Sequence, residues 1–210
     1  MTKRSDVTLS TGDGERLQAE LVVPEHCRAA MVVTHPNPVM GGDMYTPVPA
    51  AMFQALPQLG CAGLRFNFRG VGSSTGAHDK GDAERLDVSA AIDTLAEAAP
   101  DVPLLIGGWS FGTDVALAVD DDRIAGWLLA AAPMVVHQPT TMAARTAAAP
   151  KRFLVPEHDH LAPPDVLARH LVDWTNADTV VIPGVDHFFG GLMEPIVTEL
   201  EQFISEIAPH

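Results

Sequence analysis

Residues 104–116 read LLIGGWSFGTDVA: an apolar run stops on two glycines, presents Ser110, and resumes after Gly112 with helix-forming residues. The pentad from Gly108 to Gly112 has Gly-x-Ser-x-Gly spacing. Small residues two places either side let a serine take the strained angles of a strand-to-helix turn and stand clear of the chain. A serine so placed performs nucleophilic acyl chemistry if the chain also supplies a base, an acid to orient it and donors for an oxyanion. A glycine-rich turn chosen only for close packing is the plain alternative.

Two later stretches offer the missing groups in the order acid, then histidine. PEHDHLAPP follows an apolar run at 152–156, and PGVDHFFGG follows another at 178–184. His187 is the base candidate, because it falls just past a strand end from which an imidazole can reach back over Ser110. For the acid, Asp159 ranks first, Glu157 second and Asp186 third. Glu157 and Asp159 could share one side of a strand-end loop, whereas Asp186 is adjacent to His187, an awkward origin for a bond to Nδ1. The acid fixes the imidazole tautomer and stabilises the imidazolium.

Oxyanion donors are expected at two places. The Phe111 amide opens the helix after the serine, where N–H groups lack intrahelical acceptors. The second donor should come from HPNPV (35–39), where two prolines have no N–H; the Asn37 amide stands in the middle of that turn.

The elements that must position these residues follow from periodicity. DVTLS (6–10) and RLQAELVVP (16–24), joined through Asp-Gly, read as a β-hairpin. Buried strands are expected at 29–36, 62–70, 102–108, 124–133, 152–156 and 178–184. Helices are expected at 48–60, broken or kinked by Pro57, at 82–100, 111–119 and 163–174, and in the final 192–207. Apolar strands alternating with helices mean an α/β fold, a mostly parallel sheet with an N-terminal antiparallel hairpin and helices on both faces. No composition break or repeat interrupts it, so one domain over 1–210 is expected. Chemistry in such a sheet gathers at the carboxyl ends of the strands, where His35, Arg69, Ser110, Asp159 and His187 all fall.

Composition narrows the function classes. In 210 residues, 47% are hydrophobic and the mean hydropathy is +0.12, as in a well-packed globular chain. Thirteen Lys and Arg against 27 Asp and Glu give a net charge of −14, which argues against nucleic acid or an anionic membrane as partner. No apolar run reaches the ~20 residues that cross a bilayer. MTKRSDVTLS lacks the apolar stretch of a secretory signal, and Cys27 and Cys61 have no metal-type spacing. A cytoplasmic location is therefore expected, with both thiols free.

Three other signals do not hold. GGWSFGT has Thr113 where a phosphate-binding loop needs lysine, and GVGSSTG (70–76) misplaces the third glycine of a dinucleotide fingerprint. EHDH (157–160) is followed by Ala162 and Pro163 rather than further metal ligands. His35 is expected to organise its loop, and Tyr45 and Arg69 to shape the pocket rim.

Taken together, HPNPVMGGDM, LRFNFRGVGSSTG, GWSFG, PEHDHLAPP and GVDHFF resemble the α/β-hydrolase superfamily, in particular its small, cap-less, dienelactone-hydrolase-like hydrolases. The family's His-Pro-x-Pro-x-x-Gly-Gly is matched by His35 to Gly42, and its Phe-Asn-Phe-Arg-Gly-Val-Gly by Phe66 to Gly72. The resemblance implies a triad of Ser110, Asp159 and His187. Relatives carry the acid in Gly-x-x-Asp-x-x-x-Pro; Pro156 replaces the glycine here, while Asp159 and Pro163 fit, which favours Asp159 over Glu157. Dienelactone hydrolases proper use cysteine, so their substrate is not carried over. The short Met134–Lys151 stretch leaves no room for the family's lid. The expectation is a serine esterase or thioesterase, forming an acyl-enzyme on a small-molecule acyl substrate without cofactor or metal. The alternative is a non-catalytic chain of the same fold that binds a ligand or partner.

Overall fold

A computed structural model describes residues 2–209; Met1 and His210, which the expected 1–210 domain includes, lie outside them. The two alternating runs at the start form β1 (Lys3–Ser10) and β2 (Arg16–Val23), antiparallel from Lys3–Val23 to Ser10–Arg16. Their turn closes with Thr11 N–H donating to Glu15 O at 2.9 Å, and Gly14 takes φ 94°, a region that costs glycine little.

Six further strands follow: β3 (Ala29–Thr34), β4 (Cys61–Phe66), β5 (Leu104–Trp109), β6 (Ile124–Ala130), β7 (Lys151–Pro156) and β8 (Ala177–Ile182). They lie in one eight-stranded sheet of order β1-β2-β4-β3-β5-β6-β7-β8. The pairs from β4 through β8 are parallel, and β2 meets β4 antiparallel. Every residue of β3, β4 and β5 is buried, as expected of strands covered on both faces.

The helices are α1 (Pro47–Ala55), α2 (Glu84–Ala98), α3 (Phe111–Ala118), α4 (Pro164–His170) and α5 (Glu194–Ile207). Period-two alternation sorts the strand side chains between two cores. Ala30, Val32, Ile106 and Phe153 pack with α2 and α3 through Val88, Ile92, Leu95 and Val115. Met31, Val33, Leu105 and Leu154 pack with α1 and α5 through Met52, Phe53, Ile196, Leu200 and Phe203. None of the helices among the described residues is long and apolar enough to cross a membrane.

Several boundaries differ from the periodicity, three of them for a visible local reason. Pro57 turns the end of the first helix into a short 3-10 segment, Leu56–Leu59. The 62–70 run leaves the sheet at Phe66. Beyond it Phe68 N–H donates to His35 Nε2 at 3.0 Å and Arg69 N–H to Asp87 Oδ2 at 2.9 Å, so side chains replace the strand ladder. β6 stops at Ala130 because Ala131 takes φ 49°. α4 ends at His170, and α5 begins at Glu194 rather than 192.

Arg69 is not at a pocket rim. Its guanidinium meets Asp87 at 2.6 Å and Asp13 at 2.8 Å, tying the loop after β4 to α2 and to the hairpin turn. Tyr45 lies over Arg65, 4.7 Å from ring centroid to guanidinium. Asp87 is fully buried. Burial pushes its carboxyl above the usual range, against the pull of Arg69. Removing one partner of a buried pair strands the other. Arg69→Met should therefore cost about 3–5 kcal/mol in urea unfolding, and adding Asp87→Leu should recover much of that loss.

Candidate active site

The strand-to-helix turn at Ser110 begins where β5 delivers its last residues. Ser110 takes φ 53°, ψ −124° between Trp109 and the first turn of α3, a sparsely populated conformation costing ~1–3 kcal/mol. Neighbouring bonds over-determine it. Ser110 N–H donates to Ala130 O at 3.0 Å, and the Thr113 amide and hydroxyl return to Ser110 O at 2.9 and 2.6 Å. The flanking glycines are needed because β3 crowds them. A Cβ on Gly108 would lie 2.1 Å from Thr34 Oγ1, and one on Gly112 would lie 2.6 Å from His35 O.

The strand-end loops then converge. The Ser110 hydroxyl donates to His187 Nε2 at 2.9 Å, and His187 Nδ1–H donates to Asp159 Oδ2 at 2.8 Å. An ionised carboxylate can only accept, which puts the ring proton on Nδ1 and a lone pair on Nε2. Asp159 Oδ1 accepts the amides of Leu161 and Ala162, each at 2.8 Å. Burial would raise this carboxyl, but the bonds from His187 and the two amides outweigh it and hold it below the usual aspartate value. Both members of the pair are buried, Asp159 at 3% and His187 at 5% exposure, while Ser110 is partly open.

The other acid candidates point elsewhere. Glu157 is exposed and accepts Gly184 N–H at 2.8 Å; Asp186 is exposed and accepts Phe188 N–H at 3.0 Å. Of the three carboxylates, Asp159 touches the ring.

Phe111 is the first residue of α3, so its N–H opens that helix beside the serine. Across the cavity, Asn37 is the third residue of the loop after β3 and caps its short 3-10 turn, Pro38–Met40. Its side chain accepts Val39 N–H at 2.9 Å and its carbonyl accepts Gly42 N–H at 3.0 Å. His35 anchors that loop from below: its Nε2 accepts Phe68 N–H at 3.0 Å and its Nδ1–H donates to Pro36 O at 2.7 Å. Burial holds His35 down at about 4, so it stays a neutral clamp between the loops after β3 and β4.

Ser110 and His187 open on a cavity of about 300 Å³ lined by Asn37, Met40, Gly42, Pro47, Trp109, Leu161 and Phe188, among others. Neither Tyr45 nor Arg69 lines it. Trp109 was not singled out by sequence, since it fills the variable second place of the pentad. Its indole N–H donates to His187 O at 3.1 Å, fixing the backbone that carries the imidazole. Leu161 was also hidden, because an exposed apolar loop residue carries no spacing signal. No group of three or more possible metal ligands occurs among the described residues.

No protein-family model matches the chain. It is 31% identical over 168 residues to the uncharacterized protein RP471 of Rickettsia prowazekii, covering 75% of this chain and 71% of that protein. Among solved structures it is similar to XC6422 of Xanthomonas campestris, described as an α/β serine hydrolase without a lid. The TM-score is 0.89 at 25% identity, over 99% of this chain and 96% of that one. An α/β serine hydrolase homologue from Coxiella burnetii superposes with TM-score 0.85 at 25% identity, over 95% of this chain and 96% of that one.

Crowding at the turn around Ser110 has a measurable consequence. Gly112→Ala should cost about 1–3 kcal/mol by thermal or urea unfolding, because its methyl meets backbone that cannot step aside. Gly12→Ala, where an added Cβ meets nothing within 4 Å, should stay within about 0.5 kcal/mol.

Proposed function

Because the chain belongs to the α/β-hydrolase superfamily, alongside the lid-less serine hydrolases, we propose that it is a serine hydrolase cleaving a carboxylic ester or thioester. The observation that carries this reading is the unbroken hydrogen-bonded chain from Asp159 through His187 to Ser110. It ends in a cavity roomy enough for a small molecule, at the low end of the usual ~300–1,000 Å³.

Ser110 Oγ attacks the acyl carbonyl carbon as its proton passes to His187 Nε2. Asp159 steadies the imidazolium through Nδ1–H. The carbonyl oxygen, now negative, is received by the amides of Phe111 and Asn37, each such donor being worth ~10²–10³ in rate. The tetrahedral species collapses and the C–O or C–S bond breaks. The leaving alkoxide or thiolate takes the proton from His187, and Ser110 keeps the acyl group as an ester. Water then enters, gives its proton to Nε2 and attacks the acyl carbon. A second collapse releases the acid and returns the proton to Ser110.

Each role uses a group in the state its surroundings impose. The lowered carboxyl of Asp159 remains charged and acceptor-only at neutral pH, which keeps the Nε2 lone pair facing the serine. Trp109 and Phe188 flank the ring at centroid distances of 5.9 and 5.5 Å and shield the Asp159 pair from water, strengthening its electrostatics.

A fluorophosphonate probe should label the parent chain at Ser110 and fail to label Ser110→Ala or His187→Ala. Asp159→Asn should keep its fold and lose on the order of 10⁴ in turnover of p-nitrophenyl esters, because the amide imposes the wrong tautomer. A folded parent chain that resists the probe would overturn the hydrolase reading and turn the search to ligand binding.

A further inference from the structure

The cavity and the charges around it carry the reading of a serine hydrolase one step further, to the kind of substrate it selects. Apart from Ser110 and His187, the polar side chains on its wall are those of Asn37 and Thr46; the rest are Pro36, Met40, Gly41, Gly42, Pro47, Trp109, Leu161 and Phe188. No lysine or arginine lines it. Met40, Leu161 and Phe188 are each more than half exposed, so the apolar wall continues onto the outer surface at the mouth.

Several cations of this chain are committed elsewhere. Arg65 and Arg69, in and just past β4, are buried against Glu20, Asp87 and Asp13. Arg28, Arg123, Lys151 and Arg152 stand where β3, β6 and β7 begin. In a parallel sheet that is the edge opposite the serine. Lys151 is spent on the carbonyls of Ala147, Ala149 and Thr175, and Arg152 on Asp178 and Glu206. The loops that follow the strands on the serine's edge instead carry Asp43, Asp79, Asp82, Glu157 and Asp186. Against them stand the exposed Lys80, Arg16, whose N–H donates to Thr75 in the loop after β4, and Arg85, which is already 3.7 Å from Asp82.

A substrate carboxylate or phosphate entering this cavity would shed water with no cation to receive it, a costly transfer. One remaining at the mouth would face a field dominated by carboxylates, in a chain of net charge −14. From the apolar cavity and this one-sided distribution of cations we infer that the site selects esters uncharged on both sides of the scissile bond, excluding acyl-coenzyme A thioesters and dicarboxylic half-esters. The inference rests on the hydrolase reading and separates substrates that the triad alone treats alike.

Two matched pairs test it on the full chain. p-Nitrophenyl butyrate and p-nitrophenyl hydrogen succinate share a leaving group and differ by a carboxylate in place of the terminal methyl. The butyrate kcat/KM should exceed the succinate value by about 100-fold or more. S-Butyryl-N-acetylcysteamine and butyryl-coenzyme A share the acyl group and the thioester, and differ in the long pantetheine arm and phosphorylated nucleotide that give the second leaving group its charge. The neutral thioester should lead by about tenfold at low salt, and that lead should shrink as added salt screens the carboxylates. Leu161→Arg, which brings a cation to the mouth, should narrow the butyrate-to-succinate ratio about tenfold. Equal turnover of the butyrate and succinate esters, or coenzyme A thioester hydrolysis as fast as that of the neutral thioester at low salt, overturns the inference. So does a chain labelled by fluorophosphonate at Ser110 that turns over none of the four compounds. A chain that neither labels nor turns over butyrate fails earlier, at the hydrolase reading itself.

Discussion

Everything at this site depends on one unfavourable backbone conformation. Ser110, at φ 53°, is a β-carbon-bearing residue in a region that normally belongs to glycine. The chain accepts that cost because β5 must end, present a side chain and start a helix within a single residue. The surroundings make any other path worse. β6 receives the Ser110 amide through Ala130 O. β3 presses Thr34 and His35 against Gly108 and Gly112 so closely that a methyl at either place would collide. The register of three parallel strands is thus tied to the angle of one peptide, and a slip of β3 against β5 would loosen the serine.

The second constraint is electrostatic and acts at longer range. Asp159 and His187 come from the ends of β7 and β8, 28 residues apart in sequence. A buried carboxylate is expensive unless its lone pairs are filled. Here two backbone amides and one imidazole N–H fill them, so the loop after β7 is ordered around the acceptor oxygens of this side chain. That makes the acid a folding determinant of its own loop as well as a partner for the ring. Trp109 joins the two constraints: it precedes the strained serine in the chain and holds the carbonyl of the histidine.

How much of this was legible depended on whether a residue's partners were near in pattern or only in space. The alternation of strands and helices gave the layered sheet, because burial on both faces of a parallel strand leaves an apolar run that few other structures produce. Ser110 was legible from its glycines, which answer a local steric need. His187 was legible because it closes a strand in the right chain order. Asp159 was not separable from Glu157 by the residues alone, since the choice rests on which side chain the Leu161 and Ala162 amides meet, and family resemblance supplied it. Phe66-Asn-Phe-Arg69 misled by two residues or more: its alternation of buried side chains is strand-like, but His35 and Asp87 take its amides in place of a neighbouring strand. Trp109 carried no sequence signal, since it acts through a single long-range bond; His35 was legible as an organiser of its loop, but not its bond to the Phe68 amide.

The same geometry explains how a site without a lid can still be dry where dryness counts. Lid-bearing folds exclude water by covering the whole cleft. This chain has only a short connection after β6, and Asp114 pins it by accepting the amides of Met134, Val135 and Val136 at 2.8 to 3.0 Å. The cavity therefore stays open at the serine, yet the imidazole and its carboxylate are themselves buried, at 5% and 3% exposure, with the Trp109 ring 5.9 Å from the imidazole. The Nε2 edge faces Ser110 and the cavity. A low-dielectric environment is needed around the pair whose charges must attract, more than around the whole substrate. Burying the two residues of that pair gives it that environment without a covering domain.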